Sequence, residues 1–203
     1  MTDVDASGPM DLMRAEIVRL QAEVERLQRR LVETEMLADR DPLTPVLNRR
    51  AFMRELSRIV AYCERYETTA AVIFFDMDGF KAVNDTYGHA GGDAALQAVA
   101  ATLSSNVRES DVVGRLGGDE FAVVLAQADP AAAMAKGRAL CDLISGQPAV
   151  FEGRSIPLAL SFGVRCFSPG QSAAELLSQA DAAMYLHKGA DADPSRKTDS
   201  VRR

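Results

Sequence analysis

Apolar residues near the start of the chain recur at alternating steps of three and four positions. The stripe stays apolar for roughly three or four heptads, and its members are Met10, Met13, Ile17, Leu20, Val24, Leu27, Leu31, Thr34 and Ala38. Mixed charges flank it, as is typical of helices that pair with each other. The pattern predicts a coiled-coil helix over residues 10–40 that forms a parallel homodimer, preceded by disordered residues 1–9. A single amphipathic helix packed on its own domain is the alternative, although its apolar face is usually wider.

The pattern changes at Asp41, where DPLTPVLNRR contains two prolines that cannot continue a helix and predict an ordered turn. Apolar periodicity then predicts four helices: 50–65, one capped by Asp93 that ends near residue 109, 130–144 capped by Asp129, and one that begins with the Ser172–Glu175 capping box and fades after Lys188. Short apolar runs predict a buried strand at 70–75, hairpin strands at 112–116 and 121–125, and strands near 149–151 and 158–167.

This order predicts an α/β domain with a mixed sheet over residues 41–189, because helices alternate with strands while two strands share a tight antiparallel turn. The turn sequence GGDE contains glycines able to take positive φ. A polar tail, residues 190–203, is expected to be loose.

Composition narrows the class of protein. The 203 residues include 47% hydrophobic and 26% charged residues, which is typical of a folded globular chain. The net charge of −6 argues against a nucleic-acid partner. We expect no membrane span, because no apolar run approaches about 20 residues, and a cytoplasmic location, because the start of the chain does not resemble a signal peptide. Three widely spaced cysteines fit a reducing compartment.

Acidic residues follow the buried strand and occupy the hairpin tip. Asp76 and Asp78 lie where open α/β sheets place ligands, and residues 77–80 with Lys81 form a candidate phosphate cradle. If strands 70–75 and 121–125 are neighbours, Asp76 and Asp119 converge. Paired carboxylates without a nearby His or Cys suit Mg²⁺ and predict a metal-dependent phosphoryl or nucleotidyl transferase. A solvated acidic turn and an ordinary hairpin turn remain the alternatives for these two segments taken separately.

Three segments in the right order and spacing, DPLTPVLNRRAF, FFDMDGFKAVNDTYGHAGGD and RLGGDEFAVVL, resemble the GGDEF family of bacterial diguanylate cyclases. The resemblance covers about residues 41–188. It implies a palm-like, mainly antiparallel central sheet flanked by helices. It also implies that two GTP molecules are condensed across a homodimer into cyclic di-GMP, with release of two pyrophosphates.

The resemblance also implies roles for individual residues. Asp76, Asp119, Glu120 and the backbone carbonyl of Met77 match the family's metal site, which holds two Mg²⁺ or Mn²⁺ ions. Asp76, Asp119 and Glu120 are the expected catalytic residues, and Glu120 handles metal or the proton of the attacking 3′-hydroxyl. Asn84 and Asp93 match the guanine readers, and a carboxylate at Asp93 disfavours ATP because adenine lacks that donor pair. Further substrate-binding positions are Phe80, Lys81, Gly117, Gly118 and the phosphate-binding Lys188.

Upstream of the hairpin, Arg108 and Asp111 form an R-x-x-D pair. Their spacing to Gly117 resembles the family's inhibitory site, which binds the product cyclic di-GMP. A surface ion pair near a helix end is the simpler interpretation of the two residues alone.

The chain departs from the family pattern at two places. Pro45 and Val46 replace a Gly-Leu pair, and Asp191, Ala192 and Asp193 replace a Gly-Arg-Asn run whose arginine contacts triphosphate, so one phosphate contact is lost unless Arg196 or Lys197 replaces it. A catalytically weak or inactive cyclic di-GMP receptor is therefore an alternative function, and a coiled-coil scaffold is another. The coiled coil is also a candidate site for a regulatory protein partner.

Overall fold

The structure, a computed structural model, describes residues 13–26 and 39–191. The chain divides into two units, Met1–Asp39 and Arg40–Arg203. In the first unit, residues 13–26 form helix α1, and its apolar side chains at Ile17, Leu20 and Val24 are about half exposed. Three predictions fall wholly or partly outside the described residues. They are the disorder of residues 1–9, the coiled coil over residues 10–12 and 27–38, and the polar tail beyond residue 191. Among the described helices, none combines the length and the apolar character needed to cross a membrane.

The second unit contains seven strands and four further helices within the described residues. In chain order they are β1 (Leu47–Asn48), α2 (Arg49–Tyr66), β2 (Ala70–Met77), α3 (Phe80–Ser105), β3 (Val112–Gly117), β4 (Glu120–Ala126), α4 (Pro130–Gly146), β5 (Ala149–Phe151), β6 (Arg154–Ile156), β7 (Leu160–Cys166) and α5 (Ala173–Asp191).

Five strands form the central sheet in the order β1-β3-β4-β2-β7. Only β1 and β3 pair in parallel; the other neighbours are antiparallel. The predicted mixed, mainly antiparallel sheet flanked by helices is confirmed. Strand β2 is central and covered on both faces, which explains its continuous apolar run: Ile73 and Phe75 pack beneath α3 and α4, whereas Val72 and Phe74 pack beneath α2 and α5.

Two glycines let helices approach strand β7 closely. A Cβ added at Gly163 would lie 2.2 Å from the carbonyl oxygen of Ala180 and 2.2 Å from the backbone nitrogen of Met184, both on α5. On the opposite face, a Cβ at Gly137 of α4 would lie 2.5 Å from the Phe162 ring. The positions of α4 and α5 over β7 therefore depend on these missing side chains.

Several predicted helix ends are confirmed by side-chain caps. The carboxylate of Asp129 accepts a 2.7 Å hydrogen bond from the backbone N–H of Ala132, which caps α4. Ser172 and Glu175 form the reciprocal capping box of α5. Helix α5 continues to Asp191, beyond the predicted fading point at Lys188.

The prediction that Asp93 caps a helix is wrong. Helix α3 begins at Phe80, after Gly79 with φ 68°, and Asp93 lies within its second half. The helix has a kink at Gly88, where φ is 72° and ψ is 171°, and it ends at Ser105 rather than near residue 109. The kink interrupts the apolar periodicity, and the polar first half therefore resembles a turn in the sequence.

The predicted hairpin forms, but its geometry differs from expectation. Strand β4 begins at Glu120 and pairs that residue with Gly117, so only Gly118 and Asp119 separate the strands. Neither hairpin glycine has positive φ. A bulge between Arg115 and Gly117 shifts the register and accommodates the turn instead. Strand β6 was not predicted, because its three residues are too few to show a period.

Candidate active site

The pairing of β2 with β4 brings the predicted acidic residues to one edge of the sheet. Asp76 lies directly opposite Glu120 in the antiparallel register. The backbone N–H of Met77 donates a 3.2 Å hydrogen bond to the carbonyl oxygen of Asp119, which ties the hairpin turn to the end of β2. The neighbouring strands expected from the sequence are therefore present, and Asp76, Asp119 and Glu120 lie together.

Glu120 has an environment that disfavours its negative charge. Burial raises the pKa of Glu120, and the carboxylates of Asp181, Asp119 and Asp76 raise it further, whereas Arg49 opposes them. The Glu120 side chain also lies over the hairpin backbone, because a Cβ at Gly117 would be 3.0 Å from its Oε2 atom. This concentration of negative charge is an environment that a cation would stabilise.

Lys188 of α5 reaches this edge from the far end of the chain. Its Nζ atom forms an ion pair with Asp76 and lies 3.2 Å from Oδ1 of Asp78. Burial lowers the pKa of Lys188, but hydrogen bonds with both aspartates outweigh that effect and raise it. Asp78 also accepts a 2.8 Å hydrogen bond from the hydroxyl of Ser161 on β7. The predicted phosphate-binding lysine thus lies beside the carboxylates and is held by them.

The donor set at this edge fits a hard cation. The carboxylates of Asp76, Asp119 and Glu120 offer only oxygen atoms, which Mg²⁺ and Mn²⁺ prefer. Within residues 13–26 and 39–191, no group of three or more His, Cys, Asp or Glu side chains converges to enclose a metal ion. Mg²⁺ in proteins is commonly held by one or two carboxylates and keeps water and phosphate ligands, so binding does not require a complete cage of side chains.

The kink in α3 brings its two halves together beside the same edge. Lys81 is exposed in the first turn of α3, and Asp93 is exposed in the second half. A Cβ at Gly92 would lie 2.0 Å from the Asn84 side-chain oxygen and 3.3 Å from the Phe80 ring. The amide of Asn84 thus lies against the residue that precedes Asp93, so the candidate guanine readers are close together.

A network of hydrogen bonds anchors the hairpin turn to the start of the domain. The guanidinium of Arg115 donates to the carbonyl oxygen of Gly118 at 2.6 and 3.0 Å and to Asp41 at 3.1 Å. Thr44 donates to the same Asp41 oxygen from its backbone N–H and its hydroxyl. Burial favours a raised pKa at Asp41, but the bonds from Thr44 and Arg115 outweigh it and lower that pKa.

Arg108 and Asp111 lie on the loop between α3 and β3, away from this edge. The carboxylate of Asp111 accepts hydrogen bonds from the backbone N–H groups of Arg108, at 3.0 Å, and Ala126, at 3.1 Å. The exposed Arg108 lines a groove of about 190 Å³ that also includes Asp111 and Lys136. Asp111 is therefore engaged by backbone groups, and the guanidinium faces open grooves.

Sequence reasoning missed several residues that shape the candidate site. Arg49, which follows the N-cap of α2, donates to the carbonyl oxygen of Leu116 at 3.3 Å and faces Glu120. Asp181 precedes Lys188 by two helical turns, so its spacing was the one available signal that it shares that lysine's face. For Ser161 and Arg115, no sequence signal indicated the contact with Asp78 or with Gly118.

Comparison with known proteins gives a consistent result. The family described as "Diguanylate cyclase, GGDEF domain" matches residues 38–193. The bifunctional diguanylate cyclase/cyclic di-GMP phosphodiesterase MucR of Pseudomonas aeruginosa is 39% identical over 164 residues, which cover 80% of this chain and 23% of MucR. The diguanylate cyclase TpbB of the same species is 38% identical over 156 residues, covering 74% of this chain and 35% of TpbB. The chain thus spans about a third or less of the length of these two relatives.

Solved structures show the same fold. The coiled coil and GGDEF domain of DgcB from Caulobacter crescentus, in complex with c-di-GMP, matches with a TM-score of 0.78 and 29% identity, covering 88% of this chain and 95% of that one. The diguanylate cyclase SiaD, in complex with its activator SiaC from Pseudomonas aeruginosa, matches with a TM-score of 0.71 and 27% identity, covering 91% and 78%.

Proposed function

The chain belongs to the GGDEF domain family of diguanylate cyclases, and we propose that it condenses two GTP molecules into cyclic di-GMP with release of two pyrophosphates. The observation that carries this proposal is the register of β2 and β4, which sets Asp76 opposite Glu120 beside the ammonium of Lys188. Nucleotidyl transfer uses carboxylates that bind a metal ion and a cationic side chain that binds phosphate, and this sheet edge contains both.

Each group at this edge receives a task in the proposed reaction. Asn84 and Asp93 hold the guanine edge, since a carboxylate accepts from donors that adenine does not offer. The exposed turn at Gly118, with Lys81 and Lys188, holds the phosphates. Glu120 holds metal or accepts the proton of the attacking 3′-hydroxyl.

Asp76, Asp119, Glu120 and the carbonyl of Met77 are the groups that would hold Mg²⁺ or Mn²⁺, with two ions in each site. When bound, such ions polarise the α-phosphate and neutralise negative charge on the leaving pyrophosphate. Lys188 is then free to leave Asp76 and Asp78 and to contact phosphate. The protein thereby exchanges one set of ion pairs for another as substrate enters.

The reaction joins two nucleotides, so two domains must face each other. We assign this pairing to the coiled-coil segment, because α1 exposes Ile17, Leu20 and Val24 at the spacing of a two-helix seam. The DgcB structure, which contains a coiled coil together with the GGDEF domain, supports this assignment. A regulatory protein that binds α1 would change the pairing of the domains; the relative SiaD was solved in complex with an activator protein.

Arg108 and Asp111 form the proposed product-inhibition site for cyclic di-GMP. Asp111 is held by backbone N–H groups, and Arg108 presents its guanidinium at the rim of an open groove. A planar guanidinium of this kind recognises phosphate and the guanine edge through parallel hydrogen bonds.

The decisive experiment incubates the purified chain with GTP and Mg²⁺, resolves the nucleotide products and follows pyrophosphate, with ATP as the control. Cyclic di-GMP formed from GTP and not from ATP is the expected result. A folded protein that binds cyclic di-GMP but produces none would instead be a receptor, the function that the altered run after Lys188 favours. A protein that neither turns over GTP nor binds cyclic di-GMP would leave only the coiled-coil scaffold.

A further inference from the structure

A cleft adjoins the catalytic edge on the side of β7 and α4. Its volume is about 310 Å³, and its lining residues are Asp78, Met134, Arg138, Leu160, Ser161, Phe162 and Lys188. Asp78 already contacts both Ser161 and Lys188, and Lys188 also pairs with Asp76. The cleft therefore opens directly from the place where the lysine meets the acidic residues.

Arg138 is the second cation of this cleft and has no role in the reaction described above. It is exposed on α4. Among the residues that the structure describes, none forms a hydrogen bond or an ion pair with its guanidinium. Two cationic side chains, the guanidinium of Arg138 and the ammonium of Lys188, line the cleft together with one carboxylate, Asp78, and this excess of positive charge favours a multiply charged anion.

The fold holds Arg138 at the rim of the cleft. Its neighbour Gly137 packs directly on Phe162, where a Cβ would lie 2.5 Å from the ring, and Leu140 of the same helix is completely buried. Because α4 cannot shift without losing these contacts, the position of the Arg138 backbone is fixed relative to β7. The apolar walls formed by Met134, Leu160 and Phe162 further strengthen electrostatic attraction inside the cleft.

We propose that this cleft binds a condensed phosphate chain and that Arg138 is its phosphate-binding residue together with Lys188. The inference rests on the proposed function, because the chain of phosphates is either that of the bound GTP or the pyrophosphate released from it. Downstream of Lys188, the sequence contains no basic residue before Arg196. Arg138 thus provides, from a different helix, a positive charge that the end of α5 lacks.

The test measures equilibrium binding to the full chain in the presence of Mg²⁺. The probes are guanosine 5′-(α,β-methylene)triphosphate, whose α–β linkage cannot be cleaved, together with GMP and inorganic pyrophosphate. Arg138→Ala is compared with Arg165→Ala, which removes the same charge from an exposed position near the other end of β7. Arg138→Lys tests whether charge alone is sufficient.

We expect Arg138→Ala to weaken binding of the triphosphate analogue about tenfold, to leave GMP binding unchanged, and to be rescued in part by Arg138→Lys. Weaker binding of the analogue alone assigns the cleft to bound nucleotide, and weaker binding of pyrophosphate alone assigns it to the released product. Equal affinities in Arg138→Ala and Arg165→Ala, or an equal loss for GMP, overturns the proposal. Because these are binding measurements, they test Arg138 even if the chain makes no cyclic di-GMP. If the chain is active and Arg138→Ala binds the probes normally, only this inference is rejected.

Discussion

At the scale of single residues, the chemistry depends on how Glu120, Asp41 and Arg108 are held by their neighbours. Glu120 is half-buried among other carboxylates, Asp41 is bonded to an arginine and a threonine, and Arg108 is exposed beside a carboxylate fixed by backbone groups. Each arrangement leads to a different measurable consequence.

Replacing Glu120 with Gln removes a negative charge and a proton acceptor while it preserves size. We expect formation of cyclic di-GMP to fall by a factor of at least about 100, because the amide can neither accept the proton nor offer the negative charge that a metal ion requires. Glu152→Gln, an exposed glutamate in the β5–β6 turn, is the control. The rate of pyrophosphate release measures both. Normal turnover in Glu120→Gln, with an unchanged fold, would show that the catalytic assignment is wrong.

Replacing Arg108 with Ala removes the guanidinium that faces the groove. We expect the concentration of cyclic di-GMP that gives half inhibition to rise about tenfold or more. Each inhibited rate is expressed relative to the same variant's rate without added product. Arg154→Ala on β6 is the charge-matched control. If both variants are inhibited like the unmodified protein, the product site does not include Arg108.

Asp41→Asn tests the anchor of the hairpin turn through its pH dependence. Because the folded state lowers the pKa of Asp41, its carboxylate stabilises the fold above a pH of about 4, and this contribution is lost as the pH falls below that value. We expect the free energy of unfolding at pH 7 to fall by about 1–3 kcal/mol, and the difference from the unmodified protein to shrink in acid. Urea unfolding at several pH values measures it.

The exposed Asp142 provides the comparison for Asp41. Asp142→Asn is expected to change the free energy of unfolding by no more than about 0.5 kcal/mol. A pH dependence of unfolding that is identical in the unmodified protein and in Asp41→Asn would contradict the role given to the Asp41 ion pair.

At the scale of elements, strand β7 connects the two faces of the sheet. It pairs with β2, α5 packs on it at Gly163, and Gly137 of α4 packs on its Phe162 ring. These contacts determine where Lys188 and Arg138 lie, since each residue is carried by one of the two helices. Close packing at β7 is thus a condition for the geometry of the candidate site.

Gly163→Ala inserts a methyl group into the backbone of α5. We expect it to lower the free energy of unfolding by about 1–3 kcal/mol or more, because the obstructing atoms belong to the backbone of Ala180 and Met184 and cannot turn away. Gly146→Ala is the matched control, since a Cβ there meets open space, and it is expected to be neutral or slightly stabilising. Equal thermal midpoints for the two variants would show that α5 adjusts its position freely.

At the scale of the whole molecule, the proposed reaction requires two copies of the domain, and we assign their pairing to the coiled-coil segment that contains α1. Leu20 and Val18 are both exposed on α1, but only Leu20 belongs to the apolar stripe. We expect Leu20→Glu to weaken the dimer at least tenfold and to lower activity at limiting chain concentration, because a buried charge opposes the seam.

Val18→Glu provides the matched control on the other side of α1 and is expected to leave the dimer intact. Analytical ultracentrifugation over a range of concentrations, together with the cyclase rate, compares the two variants. A monomer for the unmodified chain, or equal effects of the two substitutions, would contradict a dimer built on this stripe.

The sequence by itself determined the order and type of most elements and the family of the domain. Strand β2 could be predicted because burial on both faces requires an unbroken apolar run. The starts of α4 and α5 could be predicted because a capping hydrogen bond joins residues only three positions apart. The acidic residues were found for the same reason, since each motif is contiguous. Their neighbouring positions followed from the expectation that two apolar strands pair.

Only the tertiary structure decided which distant groups meet. Lys188 contacts Asp76 across 112 residues, Arg115 reaches Asp41 across 74, and Ser161 reaches Asp78 across 83. The kink that brings Asn84 towards Asp93 depends on one positive φ at Gly88, which no apolar period records. Periodicity indicates which face of an element is buried, but not which side chains of other elements contact that face. The cleft at Arg138 could therefore be identified only from the tertiary structure.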